Sequence, residues 1–342
     1  MAVPNCRIRL GSYAPHLSQL CAGFTMLQQR GVLSLEYAGL ANFVSEGTHR
    51  HNFMLEAEFD DGTVVAYDVE DGYAGVQQPE LFDAQLSRVV RYFRRSYDHR
   101  QHNGMRNRMK VRPLGLNFHV TCPGNFFDTE LPQSSIARYV NEFVSHNSYP
   151  VYKGLFVTQL LNPDDMPGIQ GDLMDEIHMQ NQLRMDILRA CRDEFGERFF
   201  GGVEPGDYAR ECAPDLVLSA DQCTKEAHLR RLRENYVCVA PQGLHGSNSW
   251  LMAECCAAGR AMIIQPLRYE PQGNFARAQN YVMFTNAEEC TRRMRELLRS
   301  ASTVHRMEAA NAAYYHAHVR PDSLVLQTLR ESMPGRFPVV QV

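Results

Sequence analysis

The stretch from Tyr236 to Leu267 carries the strongest chemical signal in the chain. A strand-like run, YVCVA, leads into the loop PQGLHGSNS, then into a helix-like WLMAECCAAG, and a second apolar run, RAMIIQPL, follows at once. A loop with two glycines ahead of a helix exposes backbone N–H groups where the helix dipole adds partial positive charge, and such a place favours a diphosphate. Gly243 and Gly246 supply the turn, and His245, Ser247, Asn248 and Ser249 stand where side chains add donors to phosphate oxygens. Glu254 falls about a turn and a half into the helix, on the face that begins at the loop. A carboxylate there can accept both hydroxyls of a ribose. The plainer alternative is that the two glycines make a turn and Ser247 or Ser249 caps a helix.

These residues need a frame. Residues 7–10 predict a short strand and 17–30 a helix, with Leu17, Leu20, Phe24 and Leu27 at helical spacing. Residues 52–59 and 64–68 predict strands joined by the Asp61-Gly62 turn. An amphipathic helix is expected over 78–97, its stripe made by Leu81, Leu86, Val89, Val90 and Phe93, and a strand over 111–116. Residues 122–150 look irregular, with one short helix near 136–144, and the best boundary lies there. The alternation then restarts: strands at 154–161, 198–202, 236–240 and 261–265, with helices at 179–195, 224–234 and 249–258. Further helices are expected at 287–298, 305–315 and 323–333. Strand and helix in alternation is the α/β signature.

Composition agrees. The chain has 342 residues, 44% hydrophobic and 22% charged, enough for two domains with real cores. The net charge of −4 provides no global basic field, so nucleic acid is not an expected partner. The ten cysteines form no CxxC pair and fit a reducing compartment. With no basic-then-apolar leader and no 18-residue apolar run, a cytoplasmic location is expected. No P-loop and no G-x-S-x-G elbow occurs. Glu176 and His178 stand close but outside any HExxH arrangement, and His49, His51, His99 and His102 lie in polar stretches. The Asp60-Asp61 and Asp164-Asp165 pairs suit turns. No metal site is expected.

The donor-type segment resembles the nucleotide-sugar-binding helix of GT-B glycosyltransferases, with Glu254 and Ala257-Ala258-Gly259 at matching positions. Phe195–Val203, Pro214-Asp215-Leu216, Gly243–Trp250, Gln279–Phe284, Tyr314-Tyr315 and Val319–Val325 are similar to bacterial glycosyltransferases of the surface-glycan type. So are Tyr67–Tyr73, Tyr92–Tyr97 and Arg112–Phe118, and the likeness therefore spans most of the chain. It implies an α/β GT-B fold, two Rossmann-like domains facing across a cleft. The N-terminal, acceptor-side domain is expected over 1–148, the nucleotide-sugar-binding domain over 149–320, and a helix over 321–342 returning toward the first. Where relatives carry basic residues this chain has Gln159 and Leu251, and Arg184, His245, Arg260 and Arg268 are the cations at hand to substitute.

The implied reaction is metal-independent transfer of a sugar from a nucleotide-sugar, used as substrate with no cofactor, to a glycan or lipid-linked glycan acceptor. A lipid-linked acceptor leaves peripheral membrane association open. An inverting reaction needs a general base in the N-terminal domain. The candidates are His16, in the first strand-to-helix loop, and Asp71, which with Asp68 follows the VVAY strand at the usual ligand edge. Arg94 and Arg95 either complement a helix end or reach an anionic donor or acceptor. Arg184 adds a cation to the donor set. Asn280 and Tyr281 either touch the donor or simply begin a strand. The rival is a protein that binds nucleotide-sugar or glycan without turnover. An NAD-dependent enzyme is disfavoured because no G-x-G-x-x-G follows the first strand.

Overall fold

Parallel strands covered on both faces read as near-continuous apolar runs, and runs with one face half exposed suit sheet edges. The computed structural model describes residues 3–41, 43, 52–73, 79–130, 138–140, 151–165 and 171–337. The chain forms two compact units. One comprises Met1–Asn141, Arg268–Asn274 and Tyr315–Val342, the other Glu142–Leu267 and Phe275–Tyr314.

The first unit is built on a six-stranded mixed sheet in the order β2-β1-β3-β4-β5-β6. Its strands are β1 (Asn5–Leu10), β2 (Ser34–Leu40), β3 (Met54–Phe59), β4 (Val64–Asp68), β5 (Arg91–Arg94) and β6 (Val111–Pro113). β3 runs antiparallel to both β1 and β4, and the other pairs are parallel. Helix α1 (Ser18–Gln29) lays Leu20, Phe24 and Leu27 on the core formed by Ile8, Leu55, Val65 and Tyr67. Each such side chain contributes about 1.5–3 kcal/mol by leaving water.

The helix Pro321–Ser332 packs against α1 inside this unit. Pro321 starts it without losing a needed N–H, and Gly23 of α1 makes the approach possible, because a Cβ there would overlap the Pro321 carbonyl and Val325. Asp322 is fully buried but paired with Arg30 at 2.7 Å, and the Thr328 hydroxyl meets Tyr67 at 2.8 Å.

The long helix expected over 78–97 is corrected. The helix α2 spans Pro79–Ser87 only, and the chain turns to form β5. Tyr92 and Phe93 are buried on opposite faces of that strand, so the apolar pattern served a two-sided strand rather than a helix stripe. The strand expected to Leu116 stops at Pro113, and β2 had not been foreseen. The short helix expected near 136–144 lies mostly outside the described residues, of which Arg138–Tyr139 form β8, paired with β7 (Val120–Thr121).

The second unit holds a five-stranded, all-parallel sheet: β9 (Gly154–Thr158), β10 (Phe199–Val203), β11 (Val237–Ala240), β12 (Ala261–Ile264) and β13 (Tyr281–Met283). The order is β10-β9-β11-β12-β13, so the chain winds outward from β9 one way and then, from β11, the other. That reversal is a topological switch point, where open α/β sheets bind ligands outside the strands' carboxyl ends. β9 and β11 pair only at Gly154–Val237 and Leu155–Cys238, while β9 stays registered with β10 out to Thr158. The two strands part as they approach their carboxyl ends and leave a crevice there. After the first unit's α3 (Phe126–Glu130), helices α4 (Asp172–Phe195), α5 (Asp207–Cys212), α6 (Lys225–Glu234), α7 (Trp250–Ala257), α8 (Ala287–Leu298) and α9 (Ala301–Tyr314) complete the second unit. Among the described residues no helix is long and apolar enough to cross a membrane.

Candidate functional site

The loop of Gly243–Ser249 leaves β11 beside the switch point. Ser249 caps α7, its Oγ accepting from Leu251 N at 3.3 Å. His245 adopts φ 56° and Gly246 φ 67°. A left-handed non-glycine residue costs about 1 kcal/mol or more and persists only where its surroundings hold it.

Part of the backbone cradle is committed to the protein itself. Gly243 N donates to Ser247 O at 2.9 Å, Ser247 N to Leu244 O at 3.0 Å, and Gly246 N to Glu176 Oε1 at 3.1 Å. Glu176 thus satisfies the Gly246 N–H. From the same helix, one and two turns on, Gln180 Nε2 donates to Gly243 O at 2.9 Å and Arg184 reaches across the crevice. Arg184 donates to Gln159 O at 2.7 Å and to Gln242 O at 3.4 Å, carbonyls just beyond β9 and β11 respectively. It is buried, and desolvation pulls its pKa down to about 10, so it remains a cation at neutral pH. Gln159, which stands where a cation was expected, contributes its backbone oxygen to holding this one.

Glu254 is nearly buried on α7, and His228 Nε2 of α6 lies 2.8 Å from its Oε2. The histidine fixes one carboxylate oxygen and thereby the orientation of the other. Asn280 sits elsewhere in the unit's core: its Oδ1 accepts from Ala276 N at 2.9 Å and its Nδ2 donates to Asn311 at 2.9 Å. Tyr281 begins β13 and packs on Phe275, ring centroids 5.0 Å apart. Asn280 is thus bonded within the unit, and Tyr281 is the first residue of β13. Arg260, another of the spare cations, is buried on Glu308 at 2.8 Å.

In the first unit the structure gathers His16, Asp71 and Arg95, which the sequence leaves far apart. Arg95 is buried and donates to Asp71 Oδ1 at 2.7 Å, while the Asp71 carboxylate stays partly exposed. His16 lies against Phe53 and His119, ring centroids 4.9 and 5.2 Å away. Burial lowers the pKa of His16 to about 4, the Arg95 charge adding to the effect and Asp71 opposing it. Its ring is neutral at neutral pH. Arg94 is quite different: wholly buried, it pairs with Asp68, donates to Gly72 O and lies 4.4 Å from the Tyr73 ring centre. Its charge is neutralised within the fold, so of the two arginines only Arg95 stands beside a candidate reactive group. Asp98, His99 and Glu270 bring ligand-type atoms within 4.8 Å of one another, but Arg100 occupies both Asp98 oxygens.

No family model and no curated protein matches the chain. Solved structures share its outline weakly. Anabaena HepE, solved with UDP and glucose, is 8% identical over 91% of this chain and 89% of its own, with a TM-score of 0.44. TarM of S. aureus, solved with fondaparinux, α-GlcNAc-glycerol and UDP, is 9% identical over 79% of this chain at TM-score 0.43; the match spans half of that protein. The C-terminal domain of LpcC, a group 1 glycosyl transferase from Francisella tularensis, is 9% identical over 53% of this chain and 97% of its own at TM-score 0.37.

Three residues of the crevice had escaped the sequence reading as site members: Glu176, Gln180 and His228. The helix begins at Asp172 rather than at 179 as expected, and only then do Glu176, Gln180 and Arg184, at successive fours, share a face. Nothing local marks His228, whose partner is 26 residues away.

Proposed function

We propose that this protein transfers a glycosyl group from a nucleoside-diphosphate sugar to a hydroxyl of a glycan or lipid-linked glycan. The observation that carries the reading is the opened switch point of the second unit. There a buried Arg184 spans the ends of β9 and β11, and a buried carboxylate, Glu254, follows on the helix that the loop begins. In this reading the diphosphate lies against the loop and the start of α7. It displaces Glu176 from Gly246 N and draws on the Arg184 charge, and Glu254 accepts the ribose hydroxyls. As the bond from the anomeric carbon to the diphosphate oxygen breaks, its electron pair leaves on the diphosphate, stabilised by these protein charges without a metal. The acceptor oxygen forms the new bond to that carbon and its proton passes to a carboxylate. Asp71 is the residue proposed for the proton, because its carboxyl group pairs with Arg95 and stays partly exposed; His16, whose burial keeps its ring neutral, is the alternative.

The test is thermal unfolding with UDP, GDP, CMP, dTDP, ADP and NAD. A ligand at about 100 times its Kd stabilises by about 2.7 kcal/mol, several degrees for a domain of this size. Stabilisation by one nucleotide of the sugar-carrying class, followed by release of that nucleotide from its sugar conjugate, is expected. Silence from all of them in a folded sample, or a response to NAD alone, overturns the proposal. Binding with no release on any acceptor would instead support a binding protein.

A further inference from the structure

At the opposite, amino-terminal ends of β9, β10 and β11 the second unit has another cavity, of about 710 Å³, in the size range of small-molecule sites. Lys153, Phe199, Phe200, Arg230, Arg231 and Asn235 line it. Strands of four to five residues separate it from the donor loop, roughly 15 Å away along the sheet. It takes no part in the reaction proposed above.

Arg231 is the informative residue. It is only 8% exposed, yet among the described residues no carboxylate lies within ion-pair distance of it. One guanidinium nitrogen donates to the carbonyl of Gln222, and the guanidinium carbon lies 3.8 Å from the centre of the Phe200 ring. A buried cation is ordinarily paired, because leaving water costs it several kcal/mol. Burial accordingly pulls the Arg231 pKa down. Its two cationic neighbours, Lys153 and Arg230, are exposed at the rim, where Glu197 is also exposed and Glu234 half-buried. The floor presents a positive charge and the Phe200 ring, while the Phe199 ring points to the other face of β10 and into the core; the carboxylates stay at the edge.

We infer that this cavity binds a small organic anion, its carboxylate or phosphate on Arg231 and its apolar body against Phe200. An aromatic or short aliphatic acid fits this chemistry; a neutral molecule leaves the guanidinium without a counter-ion.

The test uses the full chain with benzoate, phenyl phosphate, benzyl alcohol and inorganic phosphate as probes, followed by amide NMR shifts. Saturable shifts at Phe200 and Asn235 with benzoate or phenyl phosphate are expected, and whichever binds tighter separates carboxylate from phosphate. Arg231→Met should weaken that binding by about tenfold or more, the worth of a charge-assisted hydrogen bond. If that variant does not fold, Lys153→Gln with Arg230→Gln should weaken binding and flatten its salt dependence, both side chains being exposed. No saturable shift, equal binding of benzyl alcohol, or equal binding of inorganic phosphate alone would overturn the inference. UDP should leave these amides unshifted, so failure here and failure of the nucleotide reading are told apart.

Discussion

Glu254→Gln tests the ribose assignment with little change of shape. In the native site His228 Nε2 lies 2.8 Å from one oxygen of Glu254, and under the proposed function the ribose hydroxyls meet the other. The carboxamide must turn its single oxygen toward His228 to keep that bond, and an NH₂ then faces the ribose. The variant thereby loses a charge-assisted acceptor in a nearly buried position, worth about 1.5–3 kcal/mol, or roughly 10–150-fold in Kd. Titration calorimetry with the nucleotide that stabilises the wild type, and with its 2′-deoxy counterpart, separates this from general damage. The wild type should prefer the ribonucleotide, and the variant should lose most of that preference while binding the deoxynucleotide much as before. Thermal unfolding without nucleotide should change little. If ribo and deoxy forms weaken by the same factor, or if neither changes, Glu254 does not hold the ribose.

Two further outcomes follow from the first unit. His16 has its pKa lowered from 6.5 to about 4, so below pH 6.5 the unfolded chain binds a proton that the native chain refuses, and stability falls until pH reaches about 4. The difference corresponds to about 3 kcal/mol, and denaturant unfolding across this range should show His16→Phe losing correspondingly less stability on acidification; an unchanged profile would refute the assignment. Gly23→Ala should cost about 1–3 kcal/mol by pushing the Pro321–Ser332 helix off α1, since the Pro321 carbonyl cannot swing aside as a side chain can. A variant as stable as the wild type would show that this helix is not closely seated.

The second unit was largely legible because its signals are local. VCVA and AMII are short apolar runs buried on both faces, and Ser249 and the helix behind it follow from the residues alone. The first unit was less so. In β2, SLEYAGL, exposed positions alternate with half-buried ones, a faint pattern of an edge strand whose neighbours supply the rest of the evidence. The interruption between α2 and β5 was hidden because a strand covered on both sides mimics a helix's apolar stripe over a few residues. What the residues could not disclose were partners brought by topology: Glu176 to Gly246, His228 to Glu254, and Asp71 to Arg95.

The consecutive arginines at 94 and 95 show how much depended on that one element. On a helix they would stand about 100° apart, both free to be solvated or to reach an anion. On and just beyond a strand they point to opposite faces. Asp68 and Arg94 are register partners on β4 and β5, so Arg94 is delivered to that carboxylate and, with Tyr92 donating to the same oxygen at 2.8 Å, is locked into the sheet. Arg95, one residue later, emerges beyond the strand's end, its N–H held by Asp68 O at 2.8 Å and its guanidinium directed to Asp71. One charge pair in the sequence therefore becomes two functions, a buried strut and the cation beside the proposed base, and it is the strand's two-residue period that divides them.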